Sequence, residues 1–185
     1  MANPKRYTIF MLQLSSTFLN KTVISLRTGS AVANVVAPII NPDNLKIEGF
    51  YCEDVFDKKF LVLLCQDIRE MVLKGFYIND HEVLAEAEEL VRLKKVLDAR
   101  FELVGKQVVT VSKEKVGKVS DYATEVSSMY IQKLYVSQSV FKSFTGGNLS
   151  IDRTQINEIT PKQIVINELL KKARLSSPAI APTML

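Results

Sequence analysis

Residues 22–80 of this chain return, diverged, as residues 107–168, and no other property limits its fold as tightly. Val23-Ile24-Ser25-Leu26 reads against Val108-Val109-Thr110-Val111, a shift of 85 (108 minus 23). Val32-Ala33-Asn34-Val35 reads against Val116-Gly117-Lys118-Val119, and Ile47-Glu48-Gly49-Phe50-Tyr51 against Ile131-Gln132-Lys133-Leu134-Tyr135, both at 84 (116 minus 32). Ile68-Arg69-Glu70-Met71 pairs with Ile156-Asn157-Glu158-Ile159, and Tyr77-Ile78-Asn79-Asp80 with Val165-Ile166-Asn167-Glu168, at 88 (156 minus 68). One residue is lost at the first turn and four are gained in a later loop. Length changes confined to turns, with the apolar pattern kept, are what two copies of one small fold would show.

The repeat therefore predicts two tandem units within the 185 residues. A unit of about 65 residues buries only about 60% of its unfolded surface and is marginal alone, so packing the two together is expected. Apolar residues make up 47% of the chain and charged ones 24%, an ordinary globular balance. A net charge of +4, with both signs mixed along the chain, does not call for a nucleic-acid partner except indirectly, through a ribonucleoprotein. Cys52 and Cys65 both lie in apolar runs of the first unit, and the second unit has no cysteine. They read as small buried hydrophobes in a reducing compartment. No run approaches the roughly 20 apolar residues of a spanning helix. Lys5-Arg6 followed by Ile9-Phe10-Met11-Leu12 has the outline of a signal peptide, but the run is short and broken by Gln13 and Ser15-Ser16. A cytoplasmic protein is expected, with peripheral membrane docking left open.

Short strands account for most of the pattern. Residues 23–26, 32–35, 47–52, 60–64 and 76–78 are β-branched, aromatic or apolar, with turn residues between them, including Pro38 and Asn41-Pro42-Asp43-Asn44. The second unit repeats this at 108–111, 116–119, 130–136, 149–151 and 163–166, with turns at 124–128 and Thr145-Gly146-Gly147-Asn148. Without crossover helices, such strands predict an antiparallel sheet, curled into a small barrel to avoid bare edges. The fold class expected is all-β: two tandem small antiparallel β-barrels joined by a short amphipathic helix. Residues 1–80 form the first unit, 81–99 the helical linker, 100–170 the second unit, and 171–185 a tail expected to be disordered. In the linker, Glu82, Glu86, Glu88 and Glu89 precede Arg92, Lys94, Lys95 and Arg100, the charge order that suits a helix dipole. Val83, Ala87, Leu90, Val91 and Val96 or Leu97 recur at helical spacing, predicting a helix over about 86–97.

The second unit carries Leu103-Val104-Gly105-Lys106-Gln107-Val108, then Lys115-Val116-Gly117-Lys118-Val119-Ser120-Asp121, then Ile131-Gln132-Lys133-Leu134-Tyr135-Val136. This pattern resembles the PRC-barrel, the small β-barrel of the cytoplasmic subunit of photosynthetic reaction centres and of the C-terminal domain of a ribosome-maturation factor. Gly105 and Gly117 are the positions that would define the fold, Gly117 as a bend or a close approach of another strand. The first unit departs from the pattern with Leu19-Asn20-Lys21 in place of glycine-lysine, Ala33 in place of the second glycine, and Pro38 where the second unit has Tyr122. A fold of this kind does not fix an activity.

No set of residues converges on catalysis, cofactor binding or metal binding. There is one histidine, His81, beside Asp80 at an expected helix start, and it reads as a boundary residue. The cysteines are thirteen apart (65 minus 52), without a partner pair for zinc. Asp54 and Asp57 flank a turn, and Asp152 beside Arg153 reads as a surface ion pair. Thr145-Gly146-Gly147-Asn148 precedes a strand rather than a helix, so it reads as a hairpin turn and not a phosphate loop. The aromatics are what remains. Phe50, Tyr51, Phe56, Phe60, Tyr130, Tyr135, Phe141 and Phe144 gather around the middle strands and the loop after each, more than two small barrels can bury, and Tyr51, Phe56, Phe60, Tyr135, Phe141 and Phe144 are the candidates for an exposed patch or seam. They are expected to cover the inter-unit seam or to form a patch for a protein partner. The reading that follows is a non-enzymatic adaptor or assembly factor working through protein contacts. The alternatives are a ribosome-maturation-like factor that binds a ribosomal protein or ribonucleoprotein, and a small-molecule binder or enzyme with its site at the seam.

Overall fold

The computed structural model describes residues 11–137 and 148–168. Thirteen strands occupy most of them. The short β1 (Leu12–Leu14) is followed by β2 (Thr22–Ser25), β3 (Ala31–Asn41), β4 (Lys46–Asp54), β5 (Phe60–Leu64), β6 (Ile68–Met71) and β7 (Gly75–Ile78). The second series is β8 (Gln107–Thr110), β9 (Lys115–Glu125), β10 (Ile131–Ser137), β11 (Asn148–Asp152), β12 (Ile156–Ile159) and β13 (Gln163–Ile166). They form two sheets, in the orders β5-β4-β3-β2-β7-β6 and β11-β10-β9-β8-β13-β12, with β1 added to β9. The fold is mostly β, and one of the sheets is a curled half-barrel.

The order itself demands curvature. β5 and β6 stand at opposite edges of a six-stranded sheet, which laid flat would hold them about 24 Å apart. Only the three residues Cys65–Asp67, a turn of 3-10 helix, join them, and that much chain spans roughly 14 Å at most. The edges must therefore come round toward each other. Arg153–Gln155 imposes the same on β11 and β12. These connections carry the chain onward without reversing it, which corrects the expectation of purely antiparallel pairing. β7 arrives beside β2 running parallel to it, and β13 likewise beside β8; every other pairing is antiparallel.

Three further departures from the expected strands have local causes. β6 and β12 are strands of their own, each in a hairpin with its successor. β3 runs through Pro38 rather than turning there, and β9 runs on to Glu125. A proline fits inside β3 because the N–H it lacks has no ladder partner to serve at that edge.

Gly117 sits where backbones meet. A Cβ on it would lie 2.2 Å from the Ser137 carbonyl oxygen and 2.9 Å from Val136 Cγ1. Gly105 has a φ of +88° and gives its N–H to the Val119 carbonyl at 2.8 Å. In the first sheet Asn20, at φ +57°, gives its N–H to Val35 at 3.0 Å in the same manner. Asparagine is among the few residues that enter this region at modest cost, so Asn20 can stand where glycine would be usual.

The linker is the largest correction. It is not one helix over 86–97 but three 3-10 turns, His81–Val83, Ala87–Glu89 and Val91–Leu93, followed by the six-residue helix α1 (Lys94–Ala99). The sheet competes with the helix here. Ala85 exchanges two backbone hydrogen bonds with Val62 of β5, at 2.8 and 3.0 Å, which holds the chain extended beside the sheet edge. Glu86 and Glu89 then cap the second turn reciprocally. A helix of about a dozen residues is marginal without packing, so docking decides its shape. Ile39, Val62 and Leu97 form a small buried cluster, joined by Tyr51, Leu64 and Leu90.

Candidate functional site

The aromatic residues separate into distinct environments. Tyr51 pairs with Ala37 on one side and Val62 on the other, a row on the outer face of the first sheet that α1 and the linker cover. Burial raises the pKa of its phenol. Phe60 stands one row further along that face, opposite Glu53, beyond most of this cover and 66% exposed. Tyr51 and Phe60 together line a cleft of about 540 Å³, with Pro38 of β3, Ala87 of the linker, and Arg100 and Phe101 after α1. Phe56, on the β4–β5 turn, is 72% exposed, its ring edge-on to His81 at 5.6 Å between centroids. Tyr135 occupies the position in β10 that matches Tyr51, but its row holds Asp121 and Ser150 in place of Ala37 and Val62. Phe141 and Phe144 lie outside the described residues.

His81 does more than mark a boundary. Its Nε2 meets the Oδ2 of Asp54, whose side chain is only 3% exposed at the end of β4. Asp54 also accepts the N–H groups of Phe56 (2.6 Å) and Asp57 (3.3 Å) through Oδ1, as turn chemistry leads one to expect. Burial works against the Asp54 charge, but the bonds from His81 and the two backbone N–H groups outweigh it and hold its pKa below the usual carboxylate range. One residue back, Asp80 accepts from Ser25 Oγ (3.1 Å), from the His81 N–H (2.8 Å) and from Arg27. Two carboxylates thus fasten the start of the linker to the first sheet, directly behind the Phe56 turn.

The boundary between the sheets is a second locus. Lys46 and Tyr130 form an isolated antiparallel bridge. On either side of it, Ile47 gives its N–H to the Met129 carbonyl and Ile131 gives its N–H to the Leu45 carbonyl, both at 2.9 Å. The buried core runs without a break through Leu45, Ile47, Met129 and Ile131 into both sheets. Arg153, expected in a surface ion pair with Asp152, instead lies over the Tyr130 ring (4.8 Å to its centroid) and donates to the carbonyls of Ile131 (3.2 Å) and Asn44. Asp152 pairs with Lys133 at 3.3 Å. Cys65 occupies the position matching Arg153, with its thiol 3.2 Å from the Ile47 carbonyl. Burial pushes both Cys65 and Cys52 up to about 12, so neither is a ready nucleophile at neutral pH. A cleft of about 480 Å³ opens beside Arg153, between the Pro42–Leu45 turn and β12.

No family model matches the chain, and no curated protein matches it either. Among the described residues no helix is long and apolar enough to cross a membrane.

The structure brings Tyr51 and Phe60 into one cleft, puts Phe56 on the adjoining turn, and leaves Tyr135 apart on the other sheet. Two pairings were missed from sequence: His81 with Asp54, and Arg153 with the Asn44 carbonyl across the boundary. The repeat held a signal for the second, since it aligns Arg153 with Cys65 and so marks a long cation against a short thiol. For the first there was none.

Proposed function

We propose that each sheet is one unit of a tandem pair of PRC-barrel-like folds, and that the chain is a non-enzymatic, cytoplasmic adaptor or assembly factor. The β4–β5 hairpin and the cleft beside it take a protein partner. Support for the tandem reading comes from the identical strand order of the two sheets, including the parallel pair and the three-residue connection in each. The observation that carries the function is the exposure of Phe56 and Phe60 on one hairpin whose base is fixed by the Asp54–His81 contact. Aromatic side chains held on a rigid element are the usual anchors of protein interfaces.

The test compares proteins co-purified from native extract by the wild type and by a Phe56→Ser/Phe60→Ser double variant whose circular dichroism matches it. A partner retained by the first and lost by the second is the expected result. An unchanged set of partners removes the hairpin from the reading. The cleft beside Arg153 favours a second reading, a small-molecule site at the boundary of the sheets. A metabolite screen by thermal shift separates the two, because a ligand that binds only the folded chain raises its melting temperature.

A further inference from the structure

A different end of the molecule has the chemistry of a lipid-facing surface. The β6–β7 turn projects Leu73, which is 91% exposed, beside Lys74. Across an open cleft of about 590 Å³ stand Met11, 57% exposed, and Leu19, with Met71 lining the floor. Lys21 bridges the rim by donating to the Leu73 carbonyl. Among the described residues no aspartate or glutamate lines this cleft. Projecting aliphatic side chains flanked by two lysines and no described acid match the interfacial zone of a bilayer that carries negative headgroups. A protein partner is less well matched, because interface cores favour aromatics and arginine over lysine.

We infer that this end of the molecule, centred on Leu73 with Lys21 and Lys74, docks on an anionic membrane surface. Leu73 enters the headgroup–acyl boundary, and the two ammonium groups stay at the level of the lipid phosphates. The inference does not rest on the hairpin reading, since Phe56 and Phe60 do not line this cleft.

Co-sedimentation of the full chain with vesicles tests it. Binding is expected to vesicles of phosphatidylglycerol and not to those of phosphatidylcholine, and to weaken as salt is raised. Removing both lysines (Lys21→Gln/Lys74→Gln) should lower the partition coefficient by about fivefold per charge, while Lys94→Gln/Lys118→Gln, which removes the same charge elsewhere, should change it little. Leu73→Ser, at a position too exposed to threaten folding, should also weaken binding. Equal pelleting with both lipids overturns the inference. So does an equal loss in the two lysine pairs, which reduces the effect to net charge, or a Leu73→Ser variant that binds as the wild type does. A Phe56→Ser/Phe60→Ser variant that still binds vesicles keeps this result separate from the fate of the adaptor reading.

Discussion

Leu45 and Met129 hold the two sheets together as mirror partners in sequence: the carbonyl of each accepts the N–H of the residue two beyond the other, Ile131 and Ile47, at 2.9 Å. Both are buried, at 2% and 5% exposure, and both have a left-handed backbone, φ +50° and +59°. Each also gives its own N–H to the residue four before it, Asn41 or Glu125, at 2.8 Å. The positive φ thus closes the hairpin turn and turns the carbonyl outward to the other sheet. Neither residue is of a type that favours this conformation, so its cost of about 1–2 kcal/mol is offset by the contacts across the boundary.

Arg153 should matter more to this boundary than a surface cation would. Arg153→Met removes donors from the carbonyls of Ile131 and Asn44 and the cation from the Tyr130 ring. The expected loss is about 1.5–3 kcal/mol, the usual range for hydrogen bonds made by charged groups. Urea denaturation measures it, and a variant within a few tenths of the wild type would show that the guanidinium is idle.

Gly117→Val places a side chain against the Ser137 carbonyl and should destabilise the protein by about 1–3 kcal/mol. Ala33 stands at the matching place in β3, buried and opposite Val23. There the methyl is accommodated, so Ala33→Gly should cost about 1 kcal/mol through chain entropy. Paired denaturation curves decide, and a Gly117→Val protein that melts like the wild type would mean that β9 and β10 are not packed as described.

Stability should fall on acidification through Asp54. Its folded pKa lies below the unfolded value of about 3.9, so the stabilisation is present above that value and is lost as pH drops through the folded one. Asp54→Asn should be less stable at pH 7 and should lose less on going to acid, because that carboxylate no longer has to be protonated. Urea midpoints between neutral pH and about pH 3 give the comparison; parallel curves for the two proteins would refute it.

Asp121 fastens β1, accepting from both the backbone N–H of Ser15 (3.2 Å) and its hydroxyl. In Asp121→Ala the amides of β1 and of Val126, which donates to the Met11 carbonyl, should exchange about tenfold faster or more, with the sheet interiors little changed. Hydrogen exchange by mass spectrometry resolves this, and uniform protection across both variants would count against a locally held strand.

The strands were legible because β-branched runs such as Val108-Val109-Thr110-Val111 survive divergence, and so was the need for glycine at 117. The parallel pairs were not, because nothing in Cys65-Gln66-Asp67 says that the chain continues forward rather than turning back. Nor was the linker's form: Val83, Ala87, Leu90 and Leu97 have helical spacing, but the hydrogen bonds of Ala85 to Val62 depend on a sheet edge that only the folded chain presents. Of the aromatic residues, composition could not say that Tyr51 is covered by α1 while Phe60, one row away, is left out. The prolines carried more than was read from them. Val126 gives its N–H to Met11 and Tyr122 gives its N–H to Asp121 (2.7 Å) along the edge of β9 that takes β1. At the matching places stand Pro38 in β3 and Pro42 just beyond it, neither with an N–H to give, and α1 packs beside Ile39.

Because Leu12 of β1 pairs with Glu125 of β9, β1 leaves the ribosome 113 residues ahead of its partner (125 minus 12). At about 5–20 residues per second, it waits roughly 6 to 20 seconds with its backbone unsatisfied, long after the first sheet can have closed beside it. During translation the nascent chain therefore carries an unpaired strand, Leu12-Gln13-Leu14, open to chaperones, to a neighbouring nascent chain or to a lipid surface before its own second half can claim it.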